Sequence, residues 1–149
     1  MKLVDTGRRV GCRIGLTLGL LASVALAGCG GPSAQTVHGT QLAPGADARI
    51  TADIDADAAT TRLAVDVVHL PPPERIEAGR ERFVVWQRAG SDTPWRRVGV
   101  LDYDPDSRNG ALVETTVPHA SFELLITAET QSSPPSPSSA AVIGPTSVG

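Results

Sequence analysis

The sequence predicts an all-β domain, because three of its features favour short antiparallel strands over helices. Apolar and polar residues alternate in several segments, which is the period of a half-buried strand. These segments recur roughly every ten residues, with turn-forming residues between them. After Cys29 the sequence shows neither helical periodicity nor an internal repeat. Together these features indicate an immunoglobulin-like antiparallel β-sandwich of about six to eight strands, preceded by a signal peptide helix and a flexible tether.

The N-terminal segment, residues 1–28, has the composition of a signal peptide. Arg8, Arg9 and Arg13 precede an apolar run over residues 14–27, which ends in small residues. A stable membrane span needs about 20 apolar residues, so this run is too short to be one. A basic flank, a short apolar run and a small-residue exit are typical of a signal that is removed after export.

The signal peptide closes on Leu26-Ala27-Gly28-Cys29, which is an aliphatic residue, two small residues and a thiol. This run resembles the bacterial lipobox. The resemblance implies cleavage between Gly28 and Cys29 and attachment of diacylglycerol to the thiol of Cys29. Two or three acyl chains, palmitate among them, would hold the protein permanently, whereas a single chain holds only weakly. The alternatives are an ordinary signal peptide with an incidental cysteine, or a buried core helix.

The residue after the cysteine bears on location. Gly30 stands where an Asp would, by resemblance to enterobacterial lipoproteins, argue for retention in the inner membrane. We therefore expect a lipid-anchored protein of the cell envelope, on the outer membrane in a cell that has one.

The charge of the mature chain limits its partners. The 13 basic residues of the sequence lose four to the signal peptide and the 16 acidic residues lose one, which leaves 9 − 15 = −6. A negative domain disfavours nucleic acid as a partner, and it also disfavours electrostatic binding to anionic lipid. Membrane attachment is therefore expected through acylated Cys29. The other cysteine, Cys12, leaves with the signal peptide, so no disulfide is expected.

The mature chain begins with the lipidated cysteine and a small, polar tether over residues 29–45. Alternation then predicts strands over residues 46–56 and 62–70, with a turn between them. Pro71-Pro72-Pro73 ends the second strand, because proline cannot donate to a sheet ladder. A short helical turn is expected within residues 74–81.

The most specific local feature is a hairpin formed by strands over residues 82–88 and 95–103. Burying the aliphatic side chains on one face predicts that Phe83 lies opposite Val100 and that Val85 lies opposite Val98. A slip of one residue would move these side chains to the other face.

The same register places Trp86 opposite Arg97 and Arg88 opposite Trp95 on the second face of the hairpin. Each pair could form a cation–π contact. These four residues are the candidate binding face, suited to a protein partner or a sugar. The alternative is a structural sheet face that cross-strand pairs hold together and that a loop partly covers.

The remaining elements follow from turn residues and alternation. Residues 104–110 predict a turn, and residues 111–117 and 121–128 predict two further strands. The last part of the chain, residues 131–149, begins with a Ser/Pro-rich segment that is too poor in apolar residues to pack. Residues 140–144 within it are either a last edge strand or a frayed tail. The sandwich domain is thus expected over residues 46–130.

Asp102, Asp104 and Asp106 are weak candidates for a calcium site, because carboxylates at alternate positions begin many calcium loops. Ser107 stands where an EF-hand needs glycine, and Val113 stands where it needs glutamate. An EF-hand is therefore excluded. A looser cage of oxygen ligands and a simple Asp-rich turn are the two alternatives.

The sequence predicts neither a catalytic residue nor a cofactor. The three histidines, His38, His69 and His119, share no metal-ligand spacing. The only thiol of the mature chain, Cys29, is expected to be acylated. Common nucleophile, zinc-protease and phosphate-loop motifs are absent from the sequence. A non-enzymatic protein is expected.

Four segments of the chain occur in an order that a known family shares: Val84-Val85-Trp86, then Val98-Gly99-Val100-Leu101, then Phe122 to Glu129, then Ala140 to Gly144. In these segments residues 82–144 resemble the extracytoplasmic C-terminal domain of anti-sigma-K-type factors. The resemblance implies a β-sandwich and an envelope location. It transfers no functional residue, because the family's sigma-binding and membrane-crossing segments have no counterpart in this sequence.

These observations predict a lipid-anchored envelope lipoprotein whose non-catalytic β-sandwich is a protein-binding or assembly module, with an envelope protein as partner. The alternative is a sensor or carrier of a small ligand, a sugar or a metal, in the periplasm or at the cell surface.

Overall fold

The computed structural model describes residues 31–130 and 134–149, so the predicted signal peptide and Cys29 lie outside the described residues. Within these ranges the chain forms nine strands and one short helix. In chain order they are β1 (Ser33–His38), β2 (Asp47–Asp55), β3 (Thr60–Val68), α1 (Pro73–Ile76), β4 (Arg82–Arg88), β5 (Arg96–Val100), β6 (Asp102–Asp104), β7 (Asn109–Val117), β8 (Phe122–Glu129) and β9 (Ala141–Val148).

The strands form two antiparallel sheets. One sheet has the order β1-β2-β3-β7-β6 and the other has the order β5-β4-β8-β9. The predicted all-β sandwich is confirmed, with nine strands in the described ranges. The predicted last edge strand is also confirmed, because β9 borders the four-stranded sheet and runs on to Val148.

The core lies between the two sheets and is built from the alternate side chains of their strands. Ile50 and Leu63 contribute from the five-stranded sheet, and Phe83, Phe122 and Ile126 contribute from the four-stranded sheet; all five are 2% exposed or less. Burying side chains of this size stabilises the fold by roughly 1.5–3 kcal/mol each. This inter-sheet core is the apolar face that the alternation predicts.

The predicted tether is wrong for residues 33–45, because the chain is already part of the sandwich from Ser33. Strand β1 pairs with β2 along its full length, from Ser33 opposite Ala52 to His38 opposite Asp47. Next to it, Thr40 N–H donates to the carbonyl of Val142 over 2.9 Å. The segment is small and polar, yet backbone pairing on one side and contact with β9 on the other side hold it in place.

The returning strand of the hairpin is also shorter than predicted. Residues 96–100 remain in the four-stranded sheet as β5, whereas residues 102–104 join the five-stranded sheet as β6. Leu101 lies at the crossing, where its side chain is buried and its N–H donates to the carbonyl of Phe83 over 2.9 Å. Gly99 permits a close approach of the sheets, since a Cβ there would lie 2.6 Å from Cδ1 of Leu112.

Several chain segments meet at one end of the sandwich, which we call the N-terminal end because β1 begins there. Ser33 pairs with Ala52 near the β2–β3 turn, and Thr61 pairs with Val117 at the other end of that turn. In the second sheet Arg88 pairs with Glu123, just before the β4–β5 loop. The β4–β5 loop and the segment after β7 therefore lie at the same end as the start of β1.

Candidate functional site

The hairpin register agrees with the prediction in one half only. Trp86 lies opposite Arg97, as predicted. Val84, rather than Phe83, lies opposite Val100, and Val85 lies opposite Gly99 instead of Val98. The pairing shifts between Val85 and Trp86, so β5 carries one extra residue there, a β-bulge. Sequence alternation cannot reveal such an insertion, because it reports faces and not partners.

Trp86, one of the four residues of the candidate binding face, is fully buried and is therefore not accessible to a partner. Its indole packs with Val84 and Leu125 on the outer face of the four-stranded sheet, where Trp95 and Ala141 lie against it. The indole Nε1–H donates to Oγ1 of Thr127 over 2.8 Å. At Trp86 this face is covered rather than solvated, which agrees with the structural alternative and not with a binding role for this residue.

Glu129, a buried carboxylate that has no predicted role, links this face to the Ser/Pro-rich segment after β8. Thr127 Oγ1–H donates to Oε1 of Glu129 over 2.6 Å, and the N–H of Ser138 donates to the same oxygen over 3.0 Å. Nη1 of Arg80 lies 3.7 Å from Oε2. Ser138 belongs to the Ser/Pro-rich segment that was expected not to pack. The Thr127-Ala128-Glu129 run was the only signal for this network in the sequence.

The second cross-strand pair of the candidate face is confirmed. The guanidinium carbon of Arg88 lies 4.4 Å from the centre of the Trp95 ring, a cation–π contact worth about 0.5–1 kcal/mol near a surface. Arg88 also donates from Nε to the carboxylate of Glu123 and from Nη1 to the carbonyl of Ser91 over 3.1 Å. Trp95 is half-buried and Arg97 is exposed. The accessible part of the predicted face therefore consists of Arg88, Trp95 and Arg97.

A cleft of about 340 Å³ lies beside this hairpin at the N-terminal end of the sandwich. Gln87, Arg88 and Arg96 line it from the hairpin, and His119 lines it from the segment after β7. Sequence analysis placed Gln87 and Arg96 in the hairpin without a role. Their convergence with His119 depends on the packing of the two sheets, which no local pattern encodes.

Two of the three aspartates proposed as weak metal candidates, Asp104 and Asp106, shape the β6–β7 turn instead. Asp104 accepts from the N–H of Asp106 over 3.0 Å and from Oγ of Ser107 over 2.7 Å. These hydrogen bonds, the one from Ser107 first, lower the pKa of the Asp104 carboxyl. Asp102 lies on β6, two residues before Asp104. Among the described residues, no three metal-binding side chains lie close enough together to hold one ion.

Comparisons of the chain with models of protein families, with curated proteins and with solved structures found no match. The segments that carry the resemblance to anti-sigma-K-type factors form β4, β5, β8 and β9, which are the four strands of one sheet. The resemblance itself stays a prediction. In the part of the chain that the structure describes, no helix is long and apolar enough to cross a membrane.

Proposed function

We propose that this protein is a lipid-anchored lipoprotein of the cell envelope, and that its β-sandwich is a non-catalytic module that binds an envelope protein. The lipobox-like run ending in Cys29 supports the anchor. The sandwich would present its binding surface through the β4–β5 hairpin, at the end where β1 begins.

The observation that carries the binding role is the surface formed by Arg88, Trp95 and Arg97, which we call the hairpin surface. The guanidinium carbon of Arg88 lies 4.4 Å from the centre of the Trp95 ring, so the indole already has a neighbour that favours its position before a partner arrives. Trp and Arg are the residue types most enriched among the dominant contacts of protein interfaces. A rigid aromatic ring loses little conformational entropy on binding.

Charge favours a particular kind of partner for the hairpin surface. The mature chain has a formal charge of 9 − 15 = −6, yet the exposed side chain on the hairpin surface next to Trp95 is a cation, Arg97. A positive group on an acidic domain favours a partner that presents complementary charge to it. We infer an envelope protein that presents carboxylates beside an apolar pocket for Trp95.

The test is affinity purification of the full chain from cross-linked membranes. We expect one stoichiometric partner in wild type, and recovery of that partner should fall about tenfold or more in Trp95→Ala, as for a dominant interface residue. Val113→Ala is the matched control, because Val113 is an 80% exposed apolar side chain on β7 of the other sheet. Equal recovery of the partner with both variants would show that the hairpin surface is not the interface. Thermal melting of each variant confirms that the fold is retained.

A further inference from the structure

The cleft beside the hairpin contains polar groups that the proposed protein interface does not use. Its volume of about 340 Å³ falls at the lower end of the range for small-molecule clefts, about 300–1,000 Å³. Three of the side chains that line it, Gln87, Arg96 and His119, carry polar groups without a partner in the described ranges 31–130 and 134–149.

Gln87 is the most unusual of the three, because it is only 4% exposed and points to the interior side of β4. Its Oε1 is enclosed by protein and has no hydrogen-bond partner among the described residues. A buried acceptor without a partner costs about 1–3 kcal/mol, and an anion would leave that cost in place because it has no donor for Oε1. Since Oε1 is enclosed, the Nε2 group is the part of the amide that remains to donate into the cleft.

Arg96 supplies an uncompensated positive charge at the same cleft. It forms no salt bridge with any residue that the structure describes, whereas Arg88, on the same cleft, is neutralised by Glu123. His119 adds an imidazole, and its backbone is fixed because Thr61 Oγ1–H donates to the His119 carbonyl over 2.8 Å. Its imidazole has no hydrogen bond in the described part of the chain.

We propose that this cleft binds a small anion that carries a phosphate group, with Arg96, Gln87 and His119 as donors. The guanidinium of Arg96, the Nε2 of Gln87 and the imidazole N–H of His119 are donors on three different segments that line the cleft. A phosphate group offers three or four acceptor oxygens and up to two negative charges, against two oxygens and one charge for a carboxylate, so it pairs better with three donors that include a charged guanidinium. The planar fork of an arginine also matches two phosphate oxygens at once.

The phosphate group could belong to either of two kinds of ligand. One is a free phosphate or phosphate ester in solution. The other is the headgroup of a lipid, because the cleft lies at the N-terminal end, where the chain arrives from Cys29. The lipid source rests on the proposed membrane anchor, but the anion site itself does not.

Isothermal titration calorimetry of the full mature chain tests the site with two probes. The first is inorganic phosphate, and the second is a short-chain phosphatidylglycerol kept below its micelle concentration. We expect saturable binding of at least one probe, and Arg96→Gln should weaken that binding about tenfold or more, as expected for loss of a charge-assisted pair. Arg49→Gln is the matched control, since Arg49 is an exposed arginine on β2 and lies outside the cleft. It should leave binding unchanged.

The outcomes separate the two sources. Binding of inorganic phosphate that depends on Arg96 supports a soluble anion, and binding of the lipid alone with the same dependence supports a headgroup. Absence of binding for both probes, or equal binding by wild type and Arg96→Gln, would overturn the site.

A second variant separates a binding role of Gln87 from a structural one. Gln87→Leu removes the unpartnered amide, so we expect a higher melting temperature together with about tenfold weaker binding of the probe that binds wild type. Unchanged probe binding in Gln87→Leu would overturn the role of Gln87.

Discussion

Tyr103 shows at the scale of one residue how the sandwich sets the chemistry of a side chain. Its Oη–H donates to the carbonyl of Leu70 over 3.2 Å, and its ring meets Phe83 edge to face at 5.3 Å between centroids. Burial is the largest cause of a raised pKa for the phenol, because a phenolate is poorly solvated there. The neutral phenol is therefore part of the folded state.

The expected pH dependence follows from the direction of that shift. The pKa of Tyr103 in the folded state lies above the unfolded value of about 10. The contribution of the neutral phenol to the free energy of unfolding is therefore fully present below pH 10 and is lost as the pH rises through the folded pKa. The sequence has a single tyrosine, so ultraviolet titration of the phenolate reports Tyr103 alone. We expect a higher midpoint in the folded protein than in the chain unfolded by guanidinium. Tyr103→Phe should abolish the signal, and equal midpoints in the two states would contradict the burial argument.

At the scale of the element, the segment after β1 is the clearest difference between sequence and structure. Gly39 N–H donates to the carbonyl of Ala46 over 2.7 Å, and Gly39 bridges to Ile143 of β9. A Cβ at Gly39 would lie 1.9 Å from the carbonyl oxygen of Ala43, a backbone atom that cannot move aside cheaply. A glycine is required here by the close approach of the backbone.

We therefore expect Gly39→Ala to lower the free energy of unfolding by about 2–3 kcal/mol, as overpacking against rigid atoms does. Gly45→Ala is the matched control, because a Cβ there meets nothing within 4 Å. It should change stability by less than about 0.5 kcal/mol. Urea unfolding measures both variants. Equal effects of the two substitutions would mean that this segment behaves as the flexible tether that its composition suggests.

The local sequence pattern predicted most of the strands that pack in the core. It failed where pairing with a distant segment of the chain decides the structure. Strands β2 and β3 alternate, and β4, β7 and β8 are runs rich in apolar or β-branched residues between turn residues, so the positions of these strands could be read from the sequence. The position of β1 could not be read from the sequence, because Val37 is the only aliphatic residue in it larger than alanine. Pairing with β2 is what holds this strand in the sheet. The transfer of the chain between sheets at Leu101 and the covering of Trp86 through Glu129 both depend on distant residues. For the same reason the cleft residues Gln87, Arg96 and His119 could not be brought together from sequence alone.

At the scale of the whole molecule, the proposed anchor gives a direct prediction. Cys29→Ser should abolish labelling of the protein with radioactive palmitate and should release it from the membrane fraction, because the acidic mature domain has little attraction for anionic lipid. Membrane fractionation of cells that express each form is the measurement. A Cys29→Ser protein that remains in the membrane fraction and still accepts palmitate would contradict the lipid anchor.

With the proposed anchor at Cys29, the early start of β1 would also limit how far the domain can move from the bilayer. Only three residues lie between Cys29 and Ser33, so this connection spans at most about 14 Å when fully extended. A tether this short would keep the hairpin surface close to the lipid headgroups. Encounters with a membrane-bound partner then occur in two dimensions at a raised effective concentration, so weak contacts suffice for stable association. A partner that projects its binding site far from the bilayer lies out of reach.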